Sequence, residues 1–321
     1  MPLIKSNYQK PSHLINAHWE TIIPAVFRKV NGIDYRRERI DIFDGDFLDL
    51  DWSDTNSKSN QLVIVTHGLE GDTQRPYIKG MVKIFNQAAW DVLAWNHRGC
   101  SGEPNRLKRF YHSGSTEDLN AIVDYVLQNK QYEKIVLIGF SLGGNMTLKY
   151  LGEKNMQIHS KIQKAIVFSV PLHLSSCSES LRKWKNLIYA QKFKNNLRQK
   201  ILTKAKVMPE KISTRFLHKI QTLKDFDDFY TAPLHGFKDA EDYYEKSSSI
   251  YFVNQISIPT LIVNAQNDPF LAPPCFPYDL FEKLEKVFFE TPKNGGHCGF
   301  TPIGDKTFYW SERRALEWIN Q

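Results

Sequence analysis

Residues 134–144 read KIVLIGFSLGG. The opening KIVLI is a short β-branched and apolar run with no polar face, which predicts a strand buried on both sides in a parallel sheet. Gly139-Phe140-Ser141-Leu142-Gly143 then has the spacing G-x-S-x-G, and residues 143–152 read as a helix. A serine held between strand and helix sits on a very tight turn. Its neighbours must be small, and the turn pushes the hydroxyl out beyond the sheet edge. The helix N-terminus behind it offers free N–H groups and a positive dipole end where negative charge would develop. The spacing alone is a weak signal, because Gly and Ser are common residues. Its position between an apolar strand and a helix makes it specific.

The same alternation extends in both directions. Residues 61–67 (QLVIVTH), 91–96 (DVLAWN), 164–170 (KAIVFSV), 259–264 (PTLIVN) and 286–290 (KVFFE) read as further strands. Between and after them, residues 77–90, 116–128 and 307–320 read as helices, with Ile78, Met81, Val82 and Phe85 on one face of the first. Residues 36–52 alternate around Asp44-Gly45 and predict an antiparallel hairpin at the sheet edge. Repeated strand–helix alternation predicts an α/β fold, a mostly parallel sheet flanked by helices. Residues 172–249 break the rhythm with helical runs and no clear strand. They are expected to form a helical lid over the strands' carboxyl ends, where open α/β sheets bind ligands. The expected domains are a core of residues 1–171 and 250–321 and a lid of 172–249.

A serine hydroxyl needs a base. His297 lies in Asn294-Gly295-Gly296-His297-Cys298-Gly299-Phe300, a glycine-rich loop after the last strand. His67 and His97 also follow strands but precede Ser141, against the order Ser…acid…His of such a sheet. The base needs an acid to orient it. Asp268 ends the strand PTLIVN and is followed by Pro269; its rivals Asp225, Asp227 and Asp228 lie in the insertion. Two N–H donors for an oxyanion are expected from the backbone of Leu142, after the serine, and of Leu69, in the loop His67-Gly68-Leu69-Glu70-Gly71.

The chain has 321 residues, 41 % hydrophobic and 13 % aromatic, enough for a large packed core. Its four cysteines are scattered, which argues against a disulfide framework or a zinc site and for a reducing compartment. The N-terminus shows no signal-peptide pattern and no stretch is long and apolar enough for a membrane span, so a cytoplasmic protein is expected. The net charge of +7 is uneven: residues 182–224 alone carry +12. That block reads either as a solvated helix face or as a weak contact with an anionic membrane. No nucleic-acid recognition motif accompanies it.

Five segments in order, HGLEG, NHRGCSG, GFSLGG, NDPF and GGHCGF, resemble the α/β-hydrolase superfamily. Asn16-Ala17-His18-Trp19-Glu20-Thr21 and residues 227–244 resemble its YheT-like branch, which includes ABHD-type lipid hydrolases and yeast ethanol acyltransferases. Where that branch often has His-Leu-Gln-Thr, this chain has His18-Trp19-Glu20-Thr21. The resemblance implies an eight-stranded sheet, a lid, the triad Ser141–Asp268–His297 and hydrolysis of a small-molecule or lipid ester without cofactor or metal. Acyl transfer to an alcohol, a binding role and another chemistry on the same scaffold are the alternatives.

Overall fold

A computed structural model describes residues 2–55, 58–304 and 307–321. Nine strands form one sheet: β1 (Leu3–Ile4), β2 (Arg36–Asp41), β3 (Phe47–Ser53), β4 (Gln61–Thr66), β5 (Asp91–Asn96), β6 (Lys134–Phe140), β7 (Ile162–Phe168), β8 (Thr260–Val263) and β9 (Val287–Glu290). The helices are α1 (Ala17–Phe27), α2 (Pro76–Gln87), α3 (Thr116–Asn129), α4 (Leu142–Lys154), α5 (Leu174–Arg182), α6 (Leu187–Val207), α7 (Leu223–Phe226), α8 (Ala232–His235), α9 (Ala240–Ser247), α10 (Tyr278–Phe281) and α11 (Trp310–Asn320).

The strand order is β1-β9-β8-β7-β6-β4-β5-β3-β2. The hairpin β2–β3 is antiparallel and lies at one edge, and the pairs from β5 across to β1 are parallel. The eight expected strands are β2–β9. The two-residue β1 extends the far edge by pairing Leu3 and Ile4 with Phe289 and Glu290. Alternate side chains of the central strands enter opposite layers, as the two-residue period of a strand dictates. Leu62, Ile64, Ile135 and Leu137 join α3 and α4. Val63, Val65, Val136 and Ile138 join α2 and α11.

Two expected boundaries move for local reasons. The strand expected at 164–170 ends at Phe168, because Ser169 turns to a φ of +53°. The C-terminal helix begins at Trp310, where the Glu312 carboxylate accepts the Tyr309 N–H at 2.9 Å; of the expected stretch before it, residues 305–306 lie outside the described residues. Between β7 and β8 there are five α-helices and no strand among the described residues. Part of this segment has a core of its own, where Ile201, Ile212, Leu217, Phe226 and Tyr230 pack on Phe110.

The chain leaves β4 towards β5 on one side and returns to β6 on the other. The strand order therefore reverses at β4, and the carboxyl ends of β4 and β6 open into a crevice there. The residues that follow those ends are His67-Gly68 and Ser141.

Candidate active site

Ser141 occupies the turn between β6 and α4 with φ +54° and ψ −121°, a conformation that non-glycine residues rarely adopt. The surroundings enforce it. A Cβ on Gly143 would lie 2.5 Å from the carbonyl oxygens of Thr66 and His67, and one on Gly139 would lie 2.7 Å from the Gly143 carbonyl. The small residues of the motif are thus required by close backbone packing. The Ser141 hydroxyl donates to His297 Nε2 at 2.9 Å, and His297 Nδ1 donates to Asp268 Oδ2 at 2.8 Å. The Asp268 carboxylate also accepts the Phe270 N–H at 2.9 Å, which fixes it in its turn. Burial disfavours the charged His297 ring, but the Asp268 carboxylate together with Cys298 outweighs burial and raises the imidazole above its ordinary pKa.

The rival residues have other employment. His67 and His97 are fully buried and packed edge to face, with His97 Nε2 2.9 Å from the His67 carbonyl. Burial lowers the pKa of both, so they stay neutral. Asp225 accepts the N–H groups of Gln221 and Thr222. Asp228 pairs with Lys224 at 2.9 Å. Asp227 accepts the hydroxyls of Thr231 and Tyr244 at 2.6 Å each, and burial, opposed by those hydroxyls, raises its pKa to about 6.

Leu69 and Leu142 border the same cavity as Ser141. Leu142 is the first residue of α4, where an N–H has no partner within the helix. On either side of Leu69, the Gly68 and Glu70 N–H groups donate to the hydroxyls of Tyr77 and Tyr111 at 3.1 and 2.8 Å. These bonds hold the loop in place around Leu69. The helical segment between β7 and β8 reaches this loop too. Lys200 of α6 pairs with Glu70 at 2.7 Å and lies 3.2 Å from the Cys100 sulfur. Lys204 is buried against Asn105 and the Arg109 carbonyl. Two lysines of the basic block therefore point inward and cannot serve an outer face.

Sequence reasoning missed a further group of residues on α1. Glu20 is 1 % exposed, and its carboxylate accepts the Gly295 N–H at 2.5 Å and Asn267 Nδ2 at 2.9 Å. Burial raises the Glu20 carboxyl pKa, and those two donors oppose the rise. Thr21 Oγ1 accepts the His297 N–H at 2.9 Å, and Asn267 Oδ1 accepts that of Gly296 at 3.1 Å. Gly296 has φ +58°, and a Cβ there would meet Glu20 at 2.9 Å. Three successive N–H groups of the histidine loop are thus bound from outside it. The quoted segment Asn16–Thr21 carried the signal, but nothing in it named the loop it touches.

Glu20→Ala is expected to lower kcat for any reaction at Ser141 by about 10²-fold with KM little changed, since displacement of about 1 Å costs that much in a positioned site. Glu20→Gln keeps an acceptor for the Gly295 N–H and is expected to lose no more than about tenfold. Steady-state kinetics on both variants checks this; equal losses in kcat would show that the acceptor is unimportant.

Two cavities meet at Ser141. One, of about 140 Å³, runs past Leu174, Leu197, Phe226 and Tyr230 of the segment between β7 and β8. The other, of about 310 Å³, opens outward between α1 and α6 past Val26, Ile188 and Tyr309. Both include Phe270 and His297, whose rings lie 4.1 Å apart.

The comparisons with known proteins fit this arrangement. Residues 61–301 match the family model described as alpha/beta hydrolase fold. The protein YheT of Escherichia coli (strain K12), named as an esterase, is 33 % identical over 95 % of this chain and 90 % of its own. Phospholipase ABHD3 of Mus musculus is 26 % identical over 93 % of this chain and 74 % of its own. The solved structure of the Pyrococcus furiosus esterase Pf2001 superposes with a TM-score of 0.60 at 15 % identity, covering 91 % of this chain and 97 % of that one, a likeness of fold. A strained serine between β6 and α4, a sheet reversing at β4 and a family match across three-quarters of the length lead to one assignment: this chain belongs to the α/β-hydrolase family, in its YheT-like, ABHD-type branch.

Proposed function

We propose that the protein is a serine esterase that cleaves a carboxylic ester through an acyl-enzyme on Ser141. The observation that carries this reading is the unbroken relay from the Ser141 hydroxyl through His297 to Asp268, located where two cavities meet. His297 takes the Ser141 proton as the oxygen attacks the acyl carbonyl. The Leu69 and Leu142 N–H groups stabilise the oxyanion. His297 returns the proton to the leaving alcohol, then activates a water that releases the acid. The enclosed cavity takes the acyl chain and the outward groove takes the alcohol portion, with residues 172–249 as the lid over both.

Size supports a short to medium acyl chain. An apolar cavity of about 150 Å³ accommodates benzene, so the enclosed cavity of about 140 Å³ holds a chain of similar bulk. The phospholipase relative supports a lipid-like ester. Initial rates on p-nitrophenyl esters of increasing acyl length test the reading. The expected profile peaks at short to medium chains and falls for long ones; no turnover at any length would overturn it.

A further inference from the structure

Helix α1 is built inside out. Its polar Glu20 and Thr21 are buried against the histidine loop, whereas Trp19, Val26 and Phe27 are 50 %, 61 % and 70 % exposed. Exposed apolar residues scattered singly are ordinary, but a contiguous group marks an interaction surface. Across the outward groove, Trp184, Leu187 and Ile188 are 76 %, 55 % and 75 % exposed. One residue of each group, Val26 and Ile188, borders the same groove as Ser141. His18 and Tyr189 tie the two sides together, with stacked rings and His18 Nδ1 3.1 Å from the Tyr189 hydroxyl.

The acids near this opening are paired, Glu70 with Lys200 at 2.7 Å, and the charges left without a partner there are lysines. Lys29, Lys183, Lys185 and Lys192 are exposed, and none forms an ion pair among the described residues. The acid beside them, Glu179, is held by Arg182 at 2.8 Å. Two copies of the chain brought face to face here would set lysine against lysine. A rigid protein covering the opening would seal the groove that leads to Ser141. A fluid anionic surface satisfies both conditions: it neutralises the lysines, takes up the indole and aliphatic side chains, and leaves substrate free to enter.

We propose that the exposed face of α1 and the segment leading into α6 dock on an anionic lipid surface, with the opening of the Ser141 groove facing it. This rests on the lipid-ester reading for its purpose and adds the surface on which the substrate is met. The contact is narrower than the whole basic block: it uses Lys183, Lys185 and Lys192, while Lys200 and Lys204 are engaged inside the protein.

The test is flotation with phosphatidylcholine vesicles, with and without phosphatidylglycerol, using Ser141→Ala protein so that no lipid is consumed. Binding is expected to the anionic vesicles, weaker to the neutral ones, and largely lost in about 1 M salt, where the screening length is about 3 Å. Phe27→Ser with Trp184→Ser, and separately Lys183→Glu with Lys185→Glu, are each expected to weaken binding by at least about tenfold. With Ser141 restored, both pairs are expected to hydrolyse a water-soluble p-nitrophenyl ester as the parent does. Absence of binding to anionic vesicles, or binding unchanged by both pairs, would overturn the proposal. A parent dimer in analytical ultracentrifugation that Phe27→Ser with Trp184→Ser dissolves would overturn it in favour of a second copy. Vesicle binding by a protein that hydrolyses no ester would sustain the docking and refute the esterase reading.

Discussion

Ser141→Ala is expected to lower ester turnover by about 10⁴-fold or more, because removing a serine that acts together with its base eliminates the covalent route. The residual rate would come from oxyanion stabilisation and substrate binding, which the substitution leaves in place. Folding is expected to survive. The Ser141 hydroxyl bonds to His297, and its N–H, which alanine retains, bonds to the Phe168 carbonyl at 2.9 Å. The check is p-nitrophenyl butyrate hydrolysis by wild type and variant in parallel, with thermal melts of both. Retained activity with an unchanged melt would move the chemistry away from Ser141. A fluorophosphonate probe adds an independent reading: it should label wild type and not the variant.

Asp268→Asn is expected to cost about 10⁴-fold in kcat, since an amide favours the wrong imidazole tautomer while preserving the shape of the site. It also changes the pH profile in a defined direction. His297 acts as base only when neutral. In the wild type the Asp268 carboxylate, with Cys298 beside it, raises the imidazole pKa against the effect of burial, so activity should rise with pH through a midpoint above the ordinary histidine value. Without the carboxylate only Cys298 opposes burial, and the pKa falls. The acid limb of kcat/KM for the variant should therefore lie at lower pH than that of the wild type. A limb that stays in place, or moves up, would show that the titrating group is not His297 held by Asp268.

Much of the framework was legible because the central strands bury both faces. KIVLI, QLVIVT and DVLAW cannot pair polar groups with solvent on either side, so their place inside a parallel sheet follows from composition alone. Ser141 was legible for a steric reason: only small neighbours fit where a Gly143 Cβ would approach two carbonyl oxygens at 2.5 Å. His297 and Asp268 could be selected over His67, His97 and Asp227 because strand order restricts which loop can reach a serine at the crevice. The structure brings these three side chains into one hydrogen-bonded chain.

The role of α1 was not legible in this way. Glu20 lies 275 positions from Gly295, and Thr21 lies 276 from His297. No local pattern announces a bond across such a distance. Helical amphipathicity would even mislead, because α1 hides its carboxylate and presents Trp19, Val26 and Phe27 to solvent. The basic block shows the same limit. From residues 182–224 alone every lysine could lie outside, yet Lys200 meets Glu70 and Lys204 meets Asn105. Their partners come from loops after β4 and β5, and only the packed chain brings them within reach.

The amino-acid sequence by itself therefore determined the α/β layering, the strained serine turn and the three side chains that converge on it, because these depend on local sterics, strand burial and chain order. The tertiary structure decided what holds the histidine loop, how the segment between β7 and β8 reaches the loop at Leu69 and which apolar residues remain outside. Those outcomes depend on bonds between segments far apart in the chain, and such bonds exist only once the backbone has brought the segments together.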